Sequence, residues 1–201
     1  MLNDYNYEYQ DDRIYCYPGT GILINKFDIK DKAKLHEVER DITAVRLVQL
    51  EKEPISGLFN FYHLKAIHKY LFSDIYEWAG EIRKGDFLAK GDTVFCRGQF
   101  IETYANSIFT ELDIRTFKTL SFEDMISKTA YFMGEINALH PFREGNGRAL
   151  RAFFSLMLAD LGYEWDMSGI DRKRLLQADI NAFVRNYAAL IEILNETVKP
   201  I

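Results

Sequence analysis

Cysteine is nearly absent. Cys16 and Cys96 are the only two in 201 residues, far apart and without CxxC spacing. That excludes a disulfide framework and a thiolate zinc site, and two such thiols fit a reducing cytoplasm. Long apolar runs are missing too. No stretch approaches the ~20 apolar residues of a membrane span, and the segment Met1 to Gln10 is polar and acidic with no apolar h-region. Neither a membrane partner nor a cleaved export signal is expected. Positive charge is in deficit: 25 Lys and Arg stand against 30 Asp and Glu, a net charge of −5. Direct nucleic-acid binding, which draws on clustered Lys and Arg, is not expected. There is no repeat, low-complexity tract or linker. There is no GxxxxGK[ST] and no HExxH, and Gly19-x-Gly21 lacks the third glycine of a dinucleotide fingerprint.

What is present is core-forming material. Apolar residues make up 48% and aromatics 14%, with 15 Phe and 12 Tyr. The length fits one domain spanning residues 1–201, with its core at about 31–198. From Asp31 to about Glu51, Leu35, Val38, Ile42, Val45 and Val48 recur at helical spacing and mark the expected buried face. A second helix is predicted over Phe61 to Phe72, with Leu64, Ile67 and Leu71 on one face. Gly80, Gly85, Gly91 and Gly98, interleaved with Ile82, Phe87, Val94 and Phe95, then predict a β-hairpin or flap at about 85–97. Helical periodicity returns at about Gln99 to Asp113. Ser121-Phe122-Glu123-Asp124 reads as a capping box that opens a helix reaching Leu139. After Gly147 a helix with a wide apolar stripe ends at Gly162 as a C-cap, and helical stretches over Asp171 to Asn181 and Ala182 to Val198 finish the chain. The expected fold class is all-α, a helical bundle with a small β-hairpin. His63 and His68 are five apart, off a common helical face, and like His36 they are expected to be solvated helix residues.

One constellation is dense in chemistry: His140-Pro141-Phe142-Arg143-Glu144-Gly145-Asn146-Gly147-Arg148, followed by Arg151. Pro141 forbids simple continuation of the preceding helix. Gly145 and Gly147 allow a sharp turn and close approach of a ligand to the backbone. A glycine loop leading into a helix N-terminus is an anion-binding device. Arg148 and Arg151 oppose the helix dipole there and make better sense with a polyanion present. Glu144 supplies a hard oxygen ligand of the kind Mg²⁺ on phosphates uses. His140 supplies an imidazole able to accept a proton, and Asn146 can donate to a phosphate oxygen.

This segment resembles the Fic (filamentation induced by cAMP) family motif, HxFx[DE]GNGRxxR, at every defined position. Tyr17-Pro18-x-Thr20-Gly21-x-Leu23-x-Asn25-Lys26 resembles the start of stand-alone Fic proteins. His68-x-x-Leu71-Phe72-x-Asp74-x-Tyr76-x-Trp78-Ala79-Gly80 and Gly134-Glu135-x-Asn137-Ala138-Leu139 resemble further segments of them. The likeness runs from roughly residue 5 to residue 195.

The resemblance implies a Fic fold with a flap and transfer of AMP from ATP to a Ser, Thr or Tyr hydroxyl of a target protein. His140 would be the base and Glu144 the Mg²⁺ ligand. Gly145, Asn146 and Gly147 would form the anion hole, Arg148 would contact the phosphates and Arg151 would hold the γ-phosphate. Phe142 would anchor the loop in the core. The flap residues Asp92, Thr93, Val94 and Phe95 fall where relatives hold the target backbone, although an ordinary surface hairpin is an alternative reading. Both Gly145 and Gly147 are present where phosphate-transferring relatives differ, which favours AMP transfer. Transfer of another group, or a non-enzymatic nucleotide-binding regulator, stays open. The inhibitory pattern [ST]xxxE[GN] of many relatives is incomplete here, so a separate antitoxin carrying it is implied, as in the Fic toxin class. In that class type II topoisomerases are among the targets. A secreted-effector relative is a further possibility.

Overall fold

The computed structural model describes residues 7–9, 12–90 and 93–201. In order these form β1 (Tyr7–Tyr9), α1 (Lys32–Lys52), α2 (Phe61–Phe72), β2 (Leu88–Lys90), β3 (Thr93–Val94), α3 (Ile101–Glu111), α4 (Ile114–Phe117), α5 (Phe122–Leu139), α6 (Asn146–Asp160), β4 (Tyr163–Trp165), α7 (Arg172–Phe183), α8 (Ala188–Thr197) and β5 (Val198–Pro200). The fold is helical, as the periodicities predict, and of its small antiparallel sheets only the β2–β3 hairpin is expected from the sequence.

Local chemistry explains most of the boundaries. Asp31, Asn60, Ser121 and Asp171 each accept a backbone N–H of the first turn and start α1, α2, α5 and α7. Such caps satisfy donors that the helix itself cannot. Half of the capping box predicted at Ser121 forms: its Oγ accepts from Asp124 N at 3.1 Å, while the Asp124 carboxylate accepts from the Ser121 hydroxyl at 2.7 Å. Gly162, at φ +86, lies just past α6 and turns the chain into β4.

The buried centre is α6, whose Ala149, Phe153, Phe154, Met157 and Leu158 are all sealed from solvent. It packs on α2 and α5. Phe59, Phe109 and Phe154 meet the Phe153 ring edge-on at 5.3–5.8 Å, each such burial contributing about 1.5–3 kcal/mol. This core fixes the start of α6, and with it the motif.

Several expectations are corrected. The first helix forms, but its buried side is not the predicted apolar stripe. Val45 and Val48 are 58% and 51% exposed, while Glu39 and Thr43 are buried with Leu35 and Leu50. Those two polar groups find buried partners, which a count of apolar residues does not register. The hairpin β2–β3 forms, and β1 joins it with Tyr7 opposite Lys90 and Tyr9 opposite Leu88. The last stretch is shorter than predicted, because Arg185 at φ +62 breaks the chain between α7 and α8. Its end, β5, pairs with β4. His63 and His68 are 4% and 0% exposed, so neither is a solvated helix residue. Only His36 is exposed.

Candidate functional site

The motif forms a tight corner between α5 and α6. At its entry His140 takes the left-handed conformation, φ +46 and ψ +60, and caps α5. A β-carbon-bearing residue adopts this at a cost and needs the surroundings to hold it. Arg83 does so. Its Nε donates to the His140 carbonyl at 2.9 Å, and its other nitrogens donate to the carbonyls of Gly85, at 3.3 Å, and Cys96. The Arg83 N–H donates to Pro141 O at 2.8 Å, and the Cys96 N–H to Ala138 O at 3.1 Å. The flap root is thereby tied to the motif.

Phe142 is buried, as expected for the loop's anchor, and its ring stacks on His68 at 3.8 Å. His68 accepts from Gly80 N at 2.9 Å and makes a 2.9 Å hydrogen bond through Nε2 to the Glu144 carbonyl. Burial holds its pKa down at about 3. A neutral ring donating from Nε2 and accepting at Nδ1 satisfies both bonds. The Asn146 side chain turns inward: Oδ1 accepts from Phe142 N at 2.9 Å and Nδ2 donates to Phe142 O at 2.8 Å. It shapes the loop and does not line the cleft. Gly145 sits at φ +80, and a Cβ there would fall 2.3 Å from the Phe72 ring. Only glycine suits this position.

Around the corner opens a cleft of about 750 Å³, which brings together His140, Glu144, Gly145, Gly147, Arg148 and Arg151. The first intrahelical acceptor of α6 is Gly145 O, taken by Ala149 N at 3.0 Å. The N–H groups of Asn146, Gly147 and Arg148 precede it and have no carbonyl of their own helix to meet. Glu144 Oε1 accepts from Gly145 N at 2.9 Å and lies 3.5 Å from Arg148 Nη2.

His140 is the least accessible of these groups. Its ring is stacked under Phe95 of the flap at 3.7 Å and 19°, and Phe95 meets Phe183 of α7 edge-on at 6.0 Å. Burial pushes its pKa down to about 3, with Arg83 and Lys90 acting in the same direction. Its Nδ1 lies 3.1 Å from Asn137 O, so the proton of the neutral ring belongs on Nδ1 and Nε2 is the accepting nitrogen. Of the flap residues, Thr93 and Phe95 line the cleft, Val94 is 51% exposed, and Asp92 lies outside the described residues.

The far wall is α7 and the turn before it, with Met167, Ile170, Leu175, Ile180 and Phe183 around one carboxylate, Asp179. Burial raises Asp179 to about 6 against the pull of Arg151 and Lys90. From the opposite side α1 contributes His36, Arg40 and Thr43. Sequence reasoning missed Glu39, Arg83 and Asp179 as parts of this site. They lie outside the motif and have no local signature. For His68 a signal existed in its spacing from Gly80, which its reading as a solvated residue passed over.

Among the described residues no group of three or more His, Cys, Asp or Glu side chains could hold a metal by itself. Mg²⁺ does not require one, since it is commonly held by one or two carboxylates together with substrate phosphates. Glu144, in the cleft beside the start of α6, fits that donor set.

The family model described as Fic/DOC family matches residues 58–158, from the loop before α2 to near the end of α6. Protein adenylyltransferase VbhT of Bartonella schoenbuchensis is 39% identical over 173 residues, covering 86% of this chain and 36% of that protein. The chain thus spans about a third of VbhT's length. Probable protein adenylyltransferase y4lH of Sinorhizobium fredii is 39% identical over 180 residues, covering 87% of this chain and 90% of that one. The crystal structure of the VirB-translocated effector BepC from Bartonella tribocorum, with bound AMPPNP, superimposes with a TM-score of 0.89 at 27% identity, covering 96% of this chain and 100% of that one. With the motif corner, the flap and the helical scaffold all matched, the chain belongs to the Fic/DOC family.

Proposed function

We propose that this chain is a protein adenylyltransferase that moves AMP from ATP to a hydroxyl of a target protein. The observation that carries the reading is the convergence on one cleft of a neutral histidine, a helix N-terminus opened by glycine, and two arginines. The names of the relatives and the nucleotide bound in BepC support it. His140 Nε2 takes the proton of the target hydroxyl. The hydroxyl oxygen bonds to the α-phosphorus, the bond from that phosphorus to the bridging oxygen breaks, and pyrophosphate leaves. The N–H groups at the start of α6 and the charge of Arg151 receive the polyphosphate, while the apolar wall of α7 offers a face for the base. Positioning and charge neutralisation supply most of such a reaction. Glu144 would hold Mg²⁺, which supplies charge neutralisation on the phosphates when bound.

The protein substrate reaches His140 past Phe95. Strand β3 has β2 on one side and its other edge unpaired among the described residues, and an extended target segment fits there by strand addition. The inhibitor in this reading is a separate antitoxin whose [ST]xxxE[GN] helix sets a carboxylate on Arg151, and type II topoisomerases are candidate targets. Such a pair acts in the cytoplasm. No helix among the described residues is long and apolar enough to cross a membrane.

The test is incubation of the purified chain with ATP and Mg²⁺ in a bacterial lysate, followed by mass spectrometry. Hydroxyl residues carrying AMP are expected. His140→Ala should retain ATP binding and lose transfer by about 10²–10⁴-fold. Transfer of phosphate instead of AMP, or binding of ATP without any modification, would overturn the reading.

A further inference from the structure

Glu39 lies on α1, 109 residues before Arg148 of the motif. It is 5% exposed. A buried carboxylate is costly unless it is paired and its remaining lone pairs are satisfied. Both conditions are met. Oε1 is 2.5 Å from Arg148 Nη2, and Oε2 accepts the hydroxyl of Tyr76. One turn on, the Thr43 hydroxyl donates to the Glu39 carbonyl at 2.7 Å and accepts from Arg148 Nη1 at 3.3 Å. The guanidinium lies over the Phe72 ring at 4.7 Å. Burial by itself would lower the Arg148 pKa, but the charges of Glu39 and Glu144 outweigh it and hold it raised.

The same Nη2 that meets Glu39 at 2.5 Å stands 3.5 Å from Glu144 Oε1. Two carboxylates therefore share one guanidinium edge, and the buried one has the closer contact. We propose that Glu39 is a positioning residue for AMP transfer: by engaging Arg148 from α1, it keeps that arginine from closing on Glu144 and leaves the Glu144 carboxylate available to a divalent cation on the triphosphate. The inference rests on the functional reading above and adds to it a residue outside the motif. Without the charge at position 39, Glu144 is the one carboxylate left within ion-pair distance of Arg148 among the described residues. Closing the remaining distance from 3.5 Å forms a charge-assisted bond and withdraws the oxygen the metal needs.

A loss of fold and a loss of positioning then differ in sign. Glu39→Gln takes a negative charge away from an anion site, so ATP without metal should bind as well as before or more tightly. The gain in ATP affinity on adding Mg²⁺ should fall by about 10–100-fold, the usual effect of losing an outer-shell partner. A misfolded protein would lose both together.

The measurement is titration calorimetry of ATP into the full chain, in EDTA and in Mg²⁺, for the wild type, Glu39→Gln and the double variant Glu39→Gln/Arg148→Met. The double variant leaves no buried charge unpaired and no arginine to capture Glu144. Its overall ATP affinity should be lower, but the gain from Mg²⁺ should return to within a few-fold of wild type. An unchanged gain in Glu39→Gln, a parallel loss of both binding modes, or a gain still missing in the double variant would overturn the proposal. If Glu39→Gln does not fold, the double variant decides alone: a retained gain supports the proposal and a lost one refutes it. A wild type that shows the gain but transfers no AMP would refute the activity and leave standing only the effect of Glu39 on Glu144 and the divalent cation.

Discussion

Arg148 and Arg151 stand three residues apart on α6, and both face the cleft. Their surroundings differ. Arg148 is enclosed by Glu39, Glu144, Thr43 and the Phe72 ring, and its carboxylates more than offset burial. Among the described residues no carboxylate lies within ion-pair distance of Arg151. Burial holds its pKa below the usual value, Asp179 works against that, and Arg148 adds to it. One arginine is part of a wired corner that includes His68, Phe142 and Arg83. The other is a desolvated cation on the side of the flap and α7, where an anion would relieve it. In the proposed reaction a polyphosphate needs both kinds of environment: a rigid frame that fixes the reacting phosphorus, and a charge that stays unspent until the substrate arrives.

The largest effect expected from this contrast is on stability. Arg148→Leu leaves Glu39 buried without its counter-charge and should cost about 3–5 kcal/mol. Arg151→Leu removes a cation that has no carboxylate at ion-pair distance among the described residues and should leave the ligand-free protein within about 1 kcal/mol of wild type, while abolishing the stabilisation that ATP confers. Urea unfolding with and without ATP separates the two. Equal losses of stability would break the comparison.

Acid should come next. The imidazoles of His68 and His140 are held down at about 3, whereas an unfolded histidine titrates near about 6.5. Between those values the unfolded chain binds more protons, so stability falls as pH falls. Each imidazole contributes about 1.4 kcal/mol per pH unit, fully present above about 6.5. Asp179, held up at about 6, works in the opposite sense, because its folded form takes a proton before the unfolded one does. Burial also lowers the pKa of His63, in the same sense as the other two imidazoles, so the net fall between pH 6 and 5 should be at least about 1.4 kcal/mol. A free energy of unfolding that is flat across that interval would mean that the corner is wetter than the geometry indicates.

A smaller change tests the flap side alone. Phe95 covers the His140 ring, and burial is the main cause of that ring's depressed pKa. Phe95→Ala should let water in and move the His140 pKa upward from about 3. Arg83 and Lys90 should still keep it below the ordinary histidine value. Nitrogen-detected NMR of the imidazoles reports this directly. A His140 resonance that titrates as in the wild type would show that the corner itself, and not the flap, excludes water.

The wired corner was largely legible in the sequence and the opposite wall was not. The motif reads locally, because its prolyl turn, glycines and paired arginines lie within twelve consecutive residues, 140–151. The cap at Ser121 and the turn at Gly162 read locally for the same reason, and so do α2, α5 and α6. The α1 face was misread because apolar spacing was assumed to mark burial, whereas Glu39 and Thr43 are buried by polar partners over a hundred residues away. His68 was misread in the same way, since its two ring partners come from Gly80 and the motif. The pairing of β4 with β5 joins segments across α7 and α8, and strands of three residues leave no periodicity to detect. Asp179 is one acidic residue on an amphipathic helix, and only the approach of α7 to Arg151 gives it meaning.

That residue carries the last and smallest expectation. Asp179 is half-buried in the cleft wall with apolar residues of α7, and Arg151 and Lys90 are the charges acting on it. Its folded pKa is raised above the unfolded value, so it adds stability only while protonated and loses that contribution as pH rises through about 6. Asn matches the protonated acid in shape and carries no charge to desolvate. Asp179→Asn should therefore match the wild type near pH 5 and melt at a higher temperature at pH 8. Because the variant lacks a group that opposes the buried histidines, its stability should also fall more steeply between pH 6 and 5. If Arg151 and Asp179 instead form a strong pair in solution, the substitution would destabilise at pH 8. Arg151 would then be a second wired arginine, and its contrast with Arg148 would not hold.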